Sequence, residues 1–267
     1  MLFRSEARVS GEIAPRVSLA ARTGQSPAIT VTWNAKDGGT QIKTARSTDG
    51  GRTYGPATAL QSAGAAGDRG WQASTVDAAG QLHAVWLDHR GMAAAGEHDM
   101  HKTEHDGVAM AQLSQLYIAA LDGSIAPQGI TGGVCYCCKT AMAAGPDNSL
   151  YLAWRHVYPG NMRDIAFTVS RDGGRTYAPP VRVSEDKWQI EGCPDDGPSM
   201  VVDAQGRVRS ITAGGGNQLW VEEFNQWALG ITGIPTGQAA PFYDPFISLG
   251  PVVNDPSLDW EQTLGAG

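Results

Sequence analysis

Four cysteines carry the densest chemistry in this chain: three stand in Cys135-Tyr136-Cys137-Cys138 and the fourth is Cys193. C-x-C-C plus a distant cysteine supplies four thiols, enough for a soft metal such as copper(I) or zinc. The spacing is not the C-x2-C of zinc ribbons, and a disulfide joining Cys193 to one member of the cluster is the alternative. His156 is a further candidate ligand. A second group, His98, His101 and His105, stands at H-x2-H-x3-H. On a helix turn that spacing puts all three on one side, within reach of a metal. Among Glu97, Asp99, Glu104 and Asp106 the same residues also suit a solvated polar loop.

Composition narrows the partners. The net charge is −7 and no Lys/Arg cluster offsets it, which argues against nucleic acid or an anionic membrane. No apolar run approaches the roughly 20 residues needed to span a bilayer. Met1 to Ser5 lead into no apolar h-region, so no signal peptide is expected there, and the chain reads as a fragment. The 34 Gly and 15 Pro among 267 residues suit many short strands joined by turns.

Two nearly identical stretches show what those turns are: Ser47-Thr48-Asp49-Gly50-Gly51-Arg52-Thr53-Tyr54 and Ser170-Arg171-Asp172-Gly173-Gly174-Arg175-Thr176-Tyr177. Each follows a strand-like run (Gln41 to Arg46, Ile165 to Val169) and precedes another (Ala57 to Leu60, Val181 to Val183). The aspartate can accept the turn's own N–H groups, glycine supplies positive φ, and the Thr hydroxyl closes the loop. Tyr54 and Tyr177 then open the next strand as packing groups. This S-x-D-x-G-x-T pattern with a following aromatic resembles the Asp-box, or BNR repeat, of sialidase-type β-propellers.

The surrounding chain repeats. Pro15 to Trp33, Trp71 to Trp86, Cys138 to Trp154 and Pro198 to Thr212 each read as an apolar strand, a turn and an alternating strand. A recurrence of roughly 50 to 70 residues with four strands per unit is the signature of propeller blades. The expected fold is therefore all-β: a sialidase-like propeller of four-stranded blades, about four visible where the family usually has six. Trp33, Trp86 and Trp154 should hold equivalent buried places, and Leu121-Asp122-Gly123-Ser124 should be a degenerate box. After Val208 the repeat is expected to fail, which divides the chain into blades over 1–226 and an atypical tail over 227–267.

The resemblance also sorts the loops. It implies that loops leading into each first strand share a face with loops joining second to third strands, opposite the Asp-boxes. That face, the mouth, would gather Arg69, Asp88, Arg90, Cys135, Cys137, Cys138, Arg155, His156, Cys193, Asp195 and Asp196. Family sialidases use an arginine triad, an Asp acid/base and a Tyr–Glu pair. Here Arg69, Arg90 and Arg155 are candidates to clamp a carboxylate, and Asp88, Asp195 and Asp196 to act as acid or base. The family's Arg-Ile-Pro signature is replaced by Pro15-Arg16-Val17-Ser18, and no Tyr–Glu pair can be assigned. An Arg155–Asp164 ion pair that staples a loop is the structural reading of those two residues. The function expected is binding of a small molecule, acidic sugar or metal at a Cys-rich mouth in a periplasmic or secreted protein. The rivals are a hydrolase acting on sialic acid or a related acidic sugar and a non-catalytic scaffold.

Overall fold

The computed structural model describes residues 13–20, 28–36, 40–60, 66–96, 107–183, 187–189, 197–203, 206–214, 218–224 and 240–242. They form four sheets, each an antiparallel meander of four consecutive strands. The first contains β1 (Ile13–Ala20), β2 (Ala28–Lys36), β3 (Thr40–Ser47) and β4 (Thr58–Ala59). The second holds β5 (Arg69–Val76), β6 (Leu82–Asp88), β7 (Gln115–Ala120) and β8 (Gln128–Thr131). β9 (Ala141–Ala144), β10 (Leu150–Arg155), β11 (Ile165–Ser170) and β12 (Val181–Arg182) make the third. β13 (Ser199–Val202), β14 (Val208–Gly214), β15 (Gln218–Phe224) and β16 (Ala240–Phe242) make the fourth.

Two features depart from the sequence reading. The chain is not purely β: between β6 and β7 lie two short helices, α1 (Arg90–Ala94) and α2 (Gly107–Leu113). The repeat also continues past Val208, because β14 pairs along its length with β15 and with β13. Its Ser-Ile-Thr-Ala run lacks clear alternation, but strand pairing is a backbone property and needs none. Ala240–Phe242, inside the expected tail, pairs with β15.

The sheets pack face to face. Val85, Leu87, Leu116 and Ile118 of the second sheet meet Leu150, Leu152 and Trp154 of the third. On its other face the second sheet sets Ala84, Trp86 and Ala119 against Ile42 and Leu60 of the first. Tyr151, Ala153 and Phe167 cover Val208, Met200 and Val202 of the fourth. All six residues of β10 are buried, as a strand covered on both faces requires. The first strands are neighbours in turn, β5 against β1 and β9, and β9 against β13.

The three tryptophans are equivalent. Trp33 stands four residues beyond Ile29, which pairs with Ser47, and Trp154 four beyond Leu150, which pairs with Ser170. Trp86 stands four beyond Leu82, whose carbonyl accepts the Leu121 N–H at 2.8 Å. All three are buried. The same register puts Leu121 where the boxes have serine, so this turn has lost the hydroxyl that organises the other two.

Both Asp-boxes form the expected turns. Asp172 Oδ1 accepts the Ser170 hydroxyl at 2.7 Å and the N–H groups of Arg175 and Thr176 at 2.9 Å, while Oδ2 accepts the Thr176 hydroxyl at 2.6 Å. Ser170 Oγ accepts the Gly174 N–H at 2.8 Å. Asp49 repeats the pattern with Ser47, Gly51, Arg52 and Thr53. Gly51 and Gly174 have φ of +84° and +91°, where a side chain would be strained. Hydrogen bonds hold both carboxylates below the usual range. The Thr53 hydroxyl is the largest influence at Asp49. At Asp172 partial burial opposes the Thr176 and Ser170 bonds, yet the pKa still falls to about 2.

Candidate functional site

In each antiparallel meander the turns between strands one and two, and between three and four, share one end of the sheet. The opposite end takes the lead-in to the first strand and the connection from second to third. The Asp-boxes and the cysteine loop are thus at opposite ends by topology. Hydrogen bonds show the second arrangement directly. The lead-in to β9 is stapled to the β10–β11 connection by Cys135 N–H to the Arg155 carbonyl (2.9 Å) and Val157 N–H to the Gly133 carbonyl (2.8 Å). The lead-in to β5 is held to the end of β6 by His89 N–H to the Asp68 carbonyl (2.9 Å). Gly67, at φ +95°, fits there because a Cβ would lie 2.5 Å from the His89 carbonyl oxygen.

Cys135, Cys137 and Cys138 are all buried, and their sulfurs lie within 4.8 Å of one another. Cys138 donates to Cys135 Sγ at 3.0 Å, and the Cys135 and Cys137 sulfurs are 3.9 Å apart. A turn with Cys138 N–H on the Cys135 carbonyl (3.4 Å) folds the loop so that its thiols converge. Cys135 and Cys138 are thiols, whereas Cys137 is disulfide-bonded. The surrounding wall is apolar and rich in sulfur: Met92 from α1, Met110 and Ala111 from α2, with Tyr136 and Val157. Arg163 reaches in from the β10–β11 connection, its Nη1 3.6 Å from Cys135 Sγ. The Cys138 hydrogen bond is the chief cause of a Cys135 pKa of about 6, burial opposing it and the Arg163 charge assisting.

A second cluster lies at the end of β6. Asp88 is fully buried and takes Arg90 through two bonds of 2.8 Å, Nε to Oδ1 and Nη2 to Oδ2. Trp86 Nε1 donates to it at 3.2 Å, and Arg69 Nε stands 3.2 Å away. Burial raises the Asp88 pKa, but the Arg90 bonds, the Arg69 charge and Trp86 outweigh it, so the carboxyl stays ionised. Arg69 also donates to the Gln41 side chain (3.2 Å) and the Gly67 carbonyl (3.1 Å). Beside it His89 lies against the Trp71 ring, 5.2 Å between centroids, and burial is the main cause of its low pKa of about 4.

The mouth residues named from the sequence are thus sorted. Arg69, Asp88 and Arg90 form one ion cluster, with Arg69 and Asp88 buried and Arg90 partly exposed. Cys135, Cys137 and Cys138 form another group, beside which Arg155 gives Nη1 to the Arg163 carbonyl (2.6 Å) and packs its guanidinium on Trp188. Asp164 pairs with Arg182 and accepts the Trp188 N–H at 3.3 Å. His156 turns toward Trp154, whose Nε1 donates to its Nδ1 at 3.4 Å, and toward Tyr158. Cys193, Asp195, Asp196, His98, His101 and His105 lie outside the described residues. Gly197, just beyond them, packs on the Lys139 backbone so closely that a Cβ would collide with its carbonyl. Met92, Met110 and Arg163 were not legible as site residues: the methionines look like filler in an insert, and Arg163 meets Cys135 only through the fold.

No family model matches the chain, and no curated protein matches it. Among solved structures it is similar to the fucose-specific lectin of Aleuria aurantia: TM-score 0.51, 11% identity, covering 79% of this chain and 58% of the lectin. A second structure of that lectin, described as a six-bladed β-propeller, matches with TM-score 0.50 and 12% identity over 79% of this chain and 58% of that one. The chain therefore spans under two thirds of the length of the lectin it matches. A leech intramolecular trans-sialidase is a looser likeness, TM-score 0.46 at 11% identity over 78% of this chain and 48% of that one. At such identity likeness speaks for fold alone, and the fold this chain shares with the lectin is that of a β-propeller.

Proposed function

We propose that this chain is part of an Asp-box propeller of sialidase-like build, with residues 1–226 supplying blades and Ala240–Phe242 from the expected tail completing the fourth. Its working surface is the cysteine-bearing mouth, which binds a thiophilic metal ion, copper(I) or zinc, through Cys135 and Cys138. One observation carries this reading: three buried cysteine sulfurs, two of them free thiols, lie within 4.8 Å of one another in an apolar cluster with Met92 and Met110. Soft thiolate donors select such ions. Two bonds of about 2.3 Å at a tetrahedral angle set sulfurs about 3.8 Å apart. The 3.0 Å Cys135–Cys138 pair would open slightly, by side-chain rotation, to take the ion. With Cys137 in a disulfide, the cysteines divide between the two roles the sequence left open. A disulfide suits export to the periplasm or beyond.

The test is metal uptake by chelator-stripped protein, followed by competition titration with copper(I) or zinc and elemental analysis. About one ion per chain is expected, with loss in both Cys135→Ser and Cys138→Ser. Uptake unchanged in both variants would refute the site.

A second reading, an acidic-sugar ligand, draws on one observation. Arg69 is buried beside the mouth, and no hydrogen bond reaches its Nη2 among the described residues. Bidentate arginine is the natural receptor for a carboxylate. Saturable binding of sialic acid or a uronic acid, abolished in Arg69→Lys, would support it, and the similar fucose-specific lectin gives it a precedent in fold only.

A further inference from the structure

We infer that the mouth selects copper(I) over zinc, and that the buried guanidinium of Arg163 sets this preference through its charge. Selectivity of this kind presupposes the metal site proposed above and narrows it to one ion and one specificity-determining residue.

Two independent observations point there. The first is the donor set. Among the described residues no histidine or carboxylate joins the three sulfurs in their 4.8 Å cluster, and the side chains packed around them include the thioethers of Met92 and Met110. Zinc fills a tetrahedron of four donors and takes nitrogen and oxygen readily, whereas copper(I) favours softer donors such as thiolate and thioether. The second observation is a fixed positive charge. Arg163 is 1% exposed, and its Nη1 stands 3.6 Å from Cys135 Sγ. Its guanidinium is held in place from two sides. Nε donates to Asn161 Oδ1 at 3.2 Å, and Nη2 abuts Gly107, where a Cβ would lie 2.9 Å away. The Arg163 carbonyl accepts Arg155 Nη1 at 2.6 Å, and the buried Arg155 charge acts on Cys135 in the same sense.

Charge separates the two ions. Two thiolates around copper(I) make a complex of charge −1, and around zinc a neutral one. That difference is one unit whatever protons the sulfurs carry before binding, so the preference does not depend on how they titrate. A buried complex with net charge is costly unless an opposite charge stands beside it. The Arg163 guanidinium supplies that charge to the copper(I) complex and finds no net charge to match on the zinc complex. Arginine suits the task, because it stays protonated and has no lone pair to offer as a ligand. Arg163 thus acts on the ion through its field and not by coordination.

The test uses the full chain, stripped of metal and kept under argon without thiol reductant. Dissociation constants for copper(I) and zinc are read by competition with chromogenic chelators, then for silver(I) and cadmium as soft ions of the same two charges. Wild type should hold about one copper(I) per chain, lost in Cys135→Ser and Cys138→Ser, and should not yield it to equimolar zinc. In Arg163→Gln the preference for copper(I) over zinc, and for silver(I) over cadmium, should fall about tenfold or more. Arg163→Lys keeps a point charge there and should keep the preference. A change that merely loosened the loop would weaken all four ions alike and leave both ratios unmoved. Unchanged ratios in folded Arg163→Gln overturn the inference. So does displacement of copper(I) from wild type by equimolar zinc, a result that needs no variant to fold. If Arg163→Gln does not fold, a preference lost in folded Arg163→Lys overturns it instead. The metal site survives each of these results while uptake still depends on Cys135 and Cys138. Wild type that takes up neither ion, or uptake unchanged in both cysteine variants, ends the metal site and its selectivity together.

Discussion

Asp172 shows how much one carboxylate can organise. Its two oxygens collect two backbone N–H groups and two hydroxyls within a single turn. Asp172→Ala leaves the Arg175 and Thr176 N–H groups without their acceptor and should cost about 1–3 kcal/mol, read from denaturant unfolding at pH 7. The loss depends on pH with a definite sign. A folded pKa of about 2, below the ordinary 3.8, means the contribution is present above about pH 4 and disappears as pH falls toward 2. Wild type and Asp172→Ala should therefore converge in stability across that window. Curves that stay parallel would mean the charge of Asp172 contributes nothing. Asp88 differs in kind, because arginines hold it ionised inside the fold rather than in a surface turn.

Sheets, one step up, are held together by what stands between them. Trp154 fills the space between the second and third sheets, with no measurable exposure. Trp154→Ala should cost about 3–5 kcal/mol through lost burial and the cavity left behind. Trp86→Ala, at the equivalent place between the first and second sheets, should fall in the same range. A cost below about 1 kcal/mol at either would contradict their shared role, since that is the scale of a surface change. Loops obey tighter limits. Gly67→Ala would force a Cβ against the His89 carbonyl at a φ of +95°. We expect it to destabilise by about 1–3 kcal/mol and to loosen the junction between the β5 lead-in and α1, seen as faster amide exchange at His89 and Arg90.

At the scale of the whole molecule, four sheets in a row present one end to the Asp-boxes and the other to the cysteines. An ion bound only by the native mouth stabilises the entire fold by mass action, about 2.7 kcal/mol at a free concentration one hundred times Kd. Copper(I) or zinc should therefore raise the melting temperature of wild type and leave Cys135→Ser and Cys138→Ser unmoved. Equal shifts in all three would place the ion elsewhere. Prior oxidation of the pair should abolish the shift in wild type, because bonded sulfurs have no charge to offer a metal.

The turn chemistry, the blade repeat and the equivalence of Trp33, Trp86 and Trp154 were all legible in the amino-acid sequence. Each is local: serine, aspartate and glycine fix their turn by hydrogen bonds a few residues apart, and alternation marks a strand whatever lies beside it. Convergence of Cys135, Cys137 and Cys138 was also foreseeable, since a loop so short cannot hold them far apart. Other features belonged to tertiary structure. The division of thiols from disulfide and the placing of Met92, Met110 and Arg163 around the sulfurs depend on chain segments far apart in sequence. The pairing of β14 with β15 joins neighbours in sequence, yet there too backbone groups found partners that side-chain pattern did not announce. Local rules decide where the chain turns, and only packing between distant segments decides what a buried sulfur or arginine meets.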